Sequence, residues 1–585
     1  MNDNKKAPDI STFQRLAAIA VLFIAISAAY FKTLDNPFIW DDIYLIKDNY
    51  FIRDTGNLKN LFNEKYFSQP YEISYRPVTT LTYFIDYARW KEYTGGYHFT
   101  NLILHFLSTL LVLAILSRLT RRFALSAGVA LLFALHPIHT ETINLITFRE
   151  DILCLLFAGS SFLLYIRYRD RGGAATLILS LVAAVLAMFS KETAVVLPAA
   201  ILFYEYLASE KLSHKAAWLN TLLFSLPVAF FLYIRFGPMK GPAENIIYHN
   251  NSVGDTAIYM IQAMARYLNL LLWPAWQCVD QPFTEIPSLF SAFSIAAIIL
   301  IVAIVILAFV FYLKRKPVLF GFIWLGLFIL PVSNIIPIGV IMAERYLYIP
   351  SVGFFIALAF ILDLLFISDE KPVKVLSPSL LAVLICITAS SMFLLTTNRN
   401  KIWDERITFW ENACECSPRS ARSAVNLGIS YLEEDRLEEA SITLVRAVRI
   451  ASRGRFEDRR YGSLYRGLSN LGIVAARQGR QTMAVKFFKE AVEIQPNAPL
   501  AHLNLGIALI KMGRFTASET SFRNCLIIDP NNQHAHLYLA VVLHQTGRRR
   551  EALKHCDDIL KMEPGSKRAL RLKERLIWEL QYLND

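Results

Sequence analysis

The chain has 585 residues, 55% of them hydrophobic, and a mean hydropathy of +0.37. That balance excludes an ordinary soluble globular protein, since apolar runs of roughly 18–20 residues recur between residues 12 and 397. The net charge of +12 does not call for nucleic acid, because much of the excess Lys and Arg lies in short loops between apolar runs, where cytoplasmic anchoring explains it.

The first run, near 12–31, follows Lys5, Lys6 and Arg15 and is longer than a signal-peptide core, so it reads as an uncleaved first span. Further spans are expected near 99–117, 123–137, 152–168, 174–190, 193–209, 217–235, 291–313, 318–337, 347–367 and 377–397. With these about eleven spans, the basic clusters Lys5/Lys6/Arg15, Arg118/Arg121/Arg122, Arg167/Arg169/Arg171, Lys211/Lys215, Lys314/Arg315/Lys316 and Lys371/Lys374 all fall on one side. That side is expected to be cytoplasmic. Residues 256–276 are apolar but carry Arg266 at their middle, where crossing would cost about 2.5–3.5 kcal/mol. They are expected to lie on, or dip into, the outer face.

The opposite side collects Asp41-Asp42 and the stretches SYRP (74–77), HPIHTE (136–141), FRED (148–151), SKE (190–192) and AER (343–345). Ionisable residues at span ends face one another or a shared cavity, so six such clusters on one face predict a polar site there. Arg suits a phosphate because its planar fork donates in pairs, and a nearby Asp suits proton removal from a hydroxyl. A substrate with a lipid tail and a phosphate head fits both needs. Arg76, Arg149, Lys191 and Arg345 are candidate contacts for the phosphate, with Asp151, Glu192 and Glu344 beside them. His139 and Glu141 belong to an H-x-x-H-x-E spacing that is not a specific metal pattern, so hydrogen bonding to sugar or structural bonding at a span end is preferred there. The residues single out no cofactor; a divalent metal stays open but is not favoured. His98, Asn101 and His105 share one helical face and read as packing hydrogen bonds.

Charge rises after about residue 400, which sets the expected boundary between a membrane domain, 1–400 with its first external loop at 32–77, and a tail, 401–585. In the tail, Pro496, Pro530 and Pro564 recur every 34 residues, as do Gly479-Arg480, Gly513-Arg514 and Gly547-Arg548. That period is the tetratricopeptide (TPR) signature of paired helices. Repeats are expected near 419–452, 464–497, 498–531 and 532–565, with a capping helix at 566–583 and an insert, SRGRFEDRRY, at 452–461. Stacked pairs form an α-solenoid whose groove suits a protein segment. The fold class is therefore all-α: a polytopic helix bundle followed by a TPR solenoid.

The stretches NPFIWDD (36–42), SYRPVTTLTY (74–83), YHFTNLILH (97–105), FALHPIHTE (133–141), KET (191–193) and AERYLYIPSVG (343–353), in that order and with the repeats behind them, resemble the transmembrane and tetratricopeptide-repeat-containing proteins. The resemblance covers nearly the whole chain. It implies a GT-C glycosyltransferase fold and inverting transfer of mannose or another hexose from a polyprenyl-phosphate donor to Ser/Thr hydroxyls of a protein. The family's first-loop acidic pair matches Asp41 and Asp42; Asp41 is the preferred base and Asp42 its supporter. The tail is shorter than the arrays of eukaryotic members. That shortness implies a bacterial relative in an inner membrane, with its amino terminus cytoplasmic and its repeats outside. Two other functions compete with this one: a TPR-bearing scaffold for envelope proteins without catalysis, and a lipid or solute transporter.

Overall fold

The computed structural model describes residues 11–69, 72–209, 213–239, 248, 252–281, 283, 288–314, 316–367, 377–453 and 462–582. Lys5, Lys6, Lys211, Arg315, Lys371 and Lys374 of the basic clusters, and most of the insert at 452–461, lie outside the described residues. The described residues are helical or irregular, with no strand among them. The chain divides into two compact units, 1–409 and 410–585.

The first unit is a bundle of apolar helices: α1 (Thr12–Tyr30), α2 (Pro77–Trp90), α3 (Thr94–Thr120), α4 (Phe123–Ala134), α5 (Thr140–Asn144), α6 (Arg149–Arg171), α7 (Ala174–Ser190), α8 (Leu197–Leu207), α9 (His214–Phe236), α10 (Val253–Leu272), α11 (Ala292–Lys314), α12 (Lys316–Ile329), α13 (Pro350–Leu362) and α14 (Pro378–Asn400). Among the described residues six helical segments are long and apolar enough to cross a bilayer, and seven if α4 and the bent segment after it form one span. A helix occupies each of the eleven positions expected from the sequence, but several are short. α8 has 11 residues and α12 has 14, against the roughly 17–25 that a straight crossing takes. α10 is amphipathic: Tyr259, Ala263, Tyr267 and Leu271 are buried, while the Arg266 guanidinium lies 4.4 Å from the ring centre of Phe283.

An aromatic cluster ties the bundle's middle. Phe162 of α6 stacks on Phe320 of α12 at 5.7 Å and meets Trp324 at 5.2 Å and Tyr204 of α8 at 5.3 Å. Such pairs add about 0.5–1.5 kcal/mol each beyond the area they bury. Outward faces stay apolar, as at Phe13, Ile24, Leu222 and Ile299, which suits lipid contact.

α6 gives the bundle its polarity. Its 23 residues span about 33 Å, close to the hydrocarbon thickness of a bilayer. Glu150 and Asp151 sit in its first turn, and Arg169 and Asp170 in its last. At the last-turn end, Arg169 binds Glu205 at 2.6 Å, Arg118 pairs with Asp170, and Arg122 pairs with Asp363 at 3.2 Å. The charges of the other end form the candidate site.

The second unit is a row of helical hairpins: Ala421–Glu433 with Leu437–Ala451, Ser463–Arg477 with Gln481–Ile494, Pro499–Lys511 with Phe515–Ile528, and Gln533–Gln545 with Arg549–Met562, followed by Lys567–Tyr582. Gly479, Gly513 and Gly547 make the turns inside the last three hairpins with φ of 76°, 70° and 81°, a conformation that favours glycine.

Gly321 of α12 and Gly353 of α13 bring two backbones together: a methyl group on Gly321 would meet the Gly353 carbonyl at 2.5 Å. Gly326, on the same helix, faces open space. Gly353→Ala is expected to destabilise the purified chain by about 1–3 kcal/mol in a detergent thermal-unfolding measurement, while Gly326→Ala leaves the midpoint unchanged or raises it.

Candidate functional site

The segment between α1 and α2 does not run as a free loop. It winds through short helical turns and buries Phe38, Ile39, Ile46, Phe51, Ile52 and Tyr66. Its start is locked by a side-chain amide chain: Asn36 donates to Asn144 at 2.9 Å, Asn144 donates to Asn400 at 2.8 Å, and Asn400 donates to the Ala29 carbonyl at 2.9 Å. Trp40 then takes a left-handed backbone, φ 54°, and sets its ring against Phe148 at 6.2 Å. A bulky residue held there is strained, and the strain marks a constrained turn just before the acidic pair.

The two acids part company after that turn. Asp42 is fully buried, and its carboxylate accepts the backbone N–H of Thr147 at 2.8 Å and of Ile146 at 3.2 Å. Burial pushes its carboxyl up to about 7, against the pull of those N–H groups. Asp41 stays partly exposed, as adjacent residues pointing different ways predict.

The turn that Asp42 grips, Ile146–Phe148, leads directly into α6. Phe148 carries the Arg345 guanidinium, 4.0 Å from its ring centre. Arg345 donates to Glu141 through its side chain at 2.6 Å and its backbone N–H at 2.9 Å. Burial pulls the Arg345 guanidinium down, but Glu141 above all, with Tyr346 and Asp41, holds it above its ordinary value. The Tyr346 ring lies near two cations, with Arg345 5.0 Å and Lys191 5.5 Å from its centre. Lys191 binds Asp151 at 2.7 Å and Glu150 at 3.0 Å. Glu150 is shared with Arg76, whose guanidinium also grips Glu192 through two bonds of 3.0 and 2.6 Å. Arg76 holds the carboxyl of the half-exposed Glu192 down at about 2.

Asp42, Arg76, Glu141, Asp151, Lys191, Glu192 and Arg345 are thus joined in one group through shared partners, with Asp41 next to Asp42 in the chain. Three sequence-selected residues are placed otherwise. Arg149 is fully buried with its donors on Asn101, Thr82, the Tyr97 carbonyl and Asp86, so it pins α6 to α2 and α3. His139 packs among Phe133, Tyr348, His105 and His136, and neither ring nitrogen meets a hydrogen-bond partner among the described residues. Glu344, beside Arg345, turns back to the Cys278 N–H and to Arg399 at 3.7 Å. Its burial pushes the carboxyl up to about 8. Phe148 and Tyr346 carry no distinct signal in the sequence, where aromatic residues at span ends read as interfacial belt.

The chain was compared with known proteins. Residues 94–234 match the family model described as dolichyl-phosphate-mannose-protein mannosyltransferase, and residues 465–498, 500–532 and 519–576 match tetratricopeptide-repeat models. A Caenorhabditis elegans protein O-mannosyl-transferase is 26% identical over 435 residues, covering 71% of this chain and 60% of that protein. The human protein O-mannosyl-transferase TMTC3 is 26% identical, covering 73% of this chain and 50% of its own length. Human TMTC4 is also 26% identical, over 70% of this chain and 63% of its own. The chain therefore spans half to somewhat under two thirds of the length of these relatives. The crystal structure of the TPR protein YrrB covers 29% of this chain at 21% identity, with a TM-score of 0.25. The likeness to the transmembrane and tetratricopeptide-repeat-containing proteins read from the motifs holds, and the chain is a multi-pass membrane protein with a TPR tail.

Two outcomes follow from this geometry. Arg149→Met leaves Asp86 buried without its partner and is expected to cost about 3–5 kcal/mol, seen as lost monodispersity in detergent chromatography. Asp42 binds its proton more tightly folded than unfolded, so its ionisation opposes folding between its ordinary value of 3.8 and about 7. Wild type should therefore lose thermal stability relative to Asp42→Asn as pH rises through that window. A constant difference between the two across the window counts against the assignment.

Proposed function

We propose that the chain is a membrane glycosyltransferase that moves mannose or another hexose from a polyprenyl-phosphate donor to Ser/Thr hydroxyls of proteins, at the non-cytoplasmic face. The observation that carries this reading is the gathering of Lys191 and Arg345 with carboxylates at the α6 end remote from the basic clusters, beside the turn that Asp42 closes and on which Arg345 rests through Phe148. The family-model match and the names of the relatives support the reaction class.

In this reading the lipid tail stays in the bilayer and the phosphate lies by Arg345 and Lys191. The acceptor oxygen attacks the sugar's anomeric carbon while the bond from that carbon to the phosphate oxygen breaks. The phosphate leaves with the electron pair, and Arg345 stabilises its growing charge. Asp41 takes the hydroxyl proton, so a single base suffices for inversion. Asp42 positions Asp41 by fixing the turn beneath it. Both cations already hold carboxylates, so the phosphate competes with Glu141 and Asp151 for them. Tyr346 offers a flat face near the two cations against which a pyranose ring can pack.

The TPR tail binds the acceptor or a partner protein through its groove, on the same side as the site. The membrane is a bacterial inner membrane, and the amino terminus is cytoplasmic.

Transfer from a purified polyprenyl-phosphate hexose to a Ser/Thr peptide tests this directly. Asp41→Asn should lower the rate by about 100-fold or more with unchanged thermal stability. Asp42→Asn should retain measurable transfer. Full activity in Asp41→Asn removes the base assignment, and activity absent from wild type but lost envelope assembly on removing residues 405–585 favours the scaffold.

A further inference from the structure

The TPR tail holds a group that the transfer reaction does not use. His536, His555 and Asp558 each offer one ligand atom, and these atoms lie within 4.8 Å of one another. We propose that they form a site for a divalent transition-metal ion, Zn2+ being the best match, which clamps the last helical hairpin, Gln533–Gln545 with Arg549–Met562.

The local geometry is already that of a ligand set. His536 Nε2 lies 3.0 Å from the Pro530 carbonyl, which fixes the proton on Nε2 and leaves the Nδ1 lone pair outward. His555 Nδ1 lies 2.9 Å from that same Nδ1. Two ring nitrogens at this distance need a shared proton or a shared cation between them. Around a tetrahedral Zn2+ with bonds of about 2.0–2.1 Å, two nitrogens stand about 3.3 Å apart, a small widening. Asp558 supplies an oxygen one helical turn beyond His555, and both are only partly buried, so an ion can enter from solvent. Two imidazoles and a carboxylate suit Zn2+ and leave its fourth position to water or to a partner's side chain.

The preceding repeat is an internal control. His502 Nε2 lies 2.8 Å from the Pro496 carbonyl, so the anchoring of the first imidazole is a shared feature of the repeats. At the positions 34 residues before His555 and Asp558, that repeat has Ser521 and Asn524. The ligand set is completed only in the last hairpin. The charged neighbours are Arg523, held by Glu519 and Glu551, and Lys561, which donates to Asp558 at 2.9 Å. Lys561 would give up that oxygen or share the carboxylate.

The test uses the full chain purified in detergent, stripped with EDTA and titrated with Co2+ and then Zn2+. Wild type should show one more metal equivalent than His555→Ser, which installs the preceding repeat's residue, together with a visible Co2+ spectrum that Zn2+ displaces. Asp558→Asn should weaken binding about 10–100-fold. The thermal midpoint of wild type should rise with Zn2+ while that of His555→Ser stays level, with equal midpoints in EDTA showing that the variant folds. Equal metal content in wild type and His555→Ser would overturn the site and leave the pair as two imidazoles sharing a proton. Sugar transfer is not part of the readout, so the outcome is independent of the glycosyltransferase reading.

Discussion

The arrangement depends on one carboxylate. Asp42 closes the turn at Ile146–Phe148 by accepting two backbone N–H groups that no helix satisfies. A buried N–H without an acceptor is costly, and so is a buried carboxylate without donors, so each resolves the other. The external segment is thereby fastened to the start of α6. Trp40 takes a left-handed turn, Asp41 beside it stays partly exposed, and Phe148 is held as the surface on which Arg345 rests.

The rest of the group follows from the expense of charge near a bilayer. Arg76, Lys191 and Arg345 are met by Glu141, Glu150, Asp151 and Glu192, and with Asp41 and Asp42 the acids outnumber the bases six to three. Buried pairs of this kind add little net stability, though removing one member is costly. What they do is hold the three cations in place at the start of α6. Burial explains why Asp42 keeps its proton more readily than an ordinary aspartate, with Asp41 adding a smaller push. Asp42 is the most buried of the acids, and burial outweighs the two N–H groups it accepts.

The sequence made the helices and the tail legible because both are periodic: apolar runs of bilayer length, and a 34-residue repeat with its Pro and Gly marks. It also gathered the polar clusters, since each breaks an apolar run at the same side. What it could not supply was direction. Arg149, Glu150 and Asp151 are consecutive, yet Arg149 turns to α2 and α3 while its neighbours turn to Lys191 and Arg76. Glu344 and Arg345 separate in the same way. Arg149, Glu150 and Asp151 fan about 100° apart in the first turn of α6, and the sequence does not say which neighbour each side chain then meets. Short helices such as α8 likewise blur the span count, because composition marks apolar runs without showing where each one turns.

The central claim is that the first-segment acids and the cations at 191 and 345 share one lipid-phosphate pocket. Electron cryo-microscopy of the chain with a polyprenyl-phosphate hexose tests it most directly. The account predicts phosphate density within hydrogen-bonding reach of Arg345 or Lys191, with the sugar against Tyr346 and its anomeric carbon turned toward Asp41. Donor density ending at the Arg118–Asp170 end of α6, or in contact with none of these side chains, would contradict it.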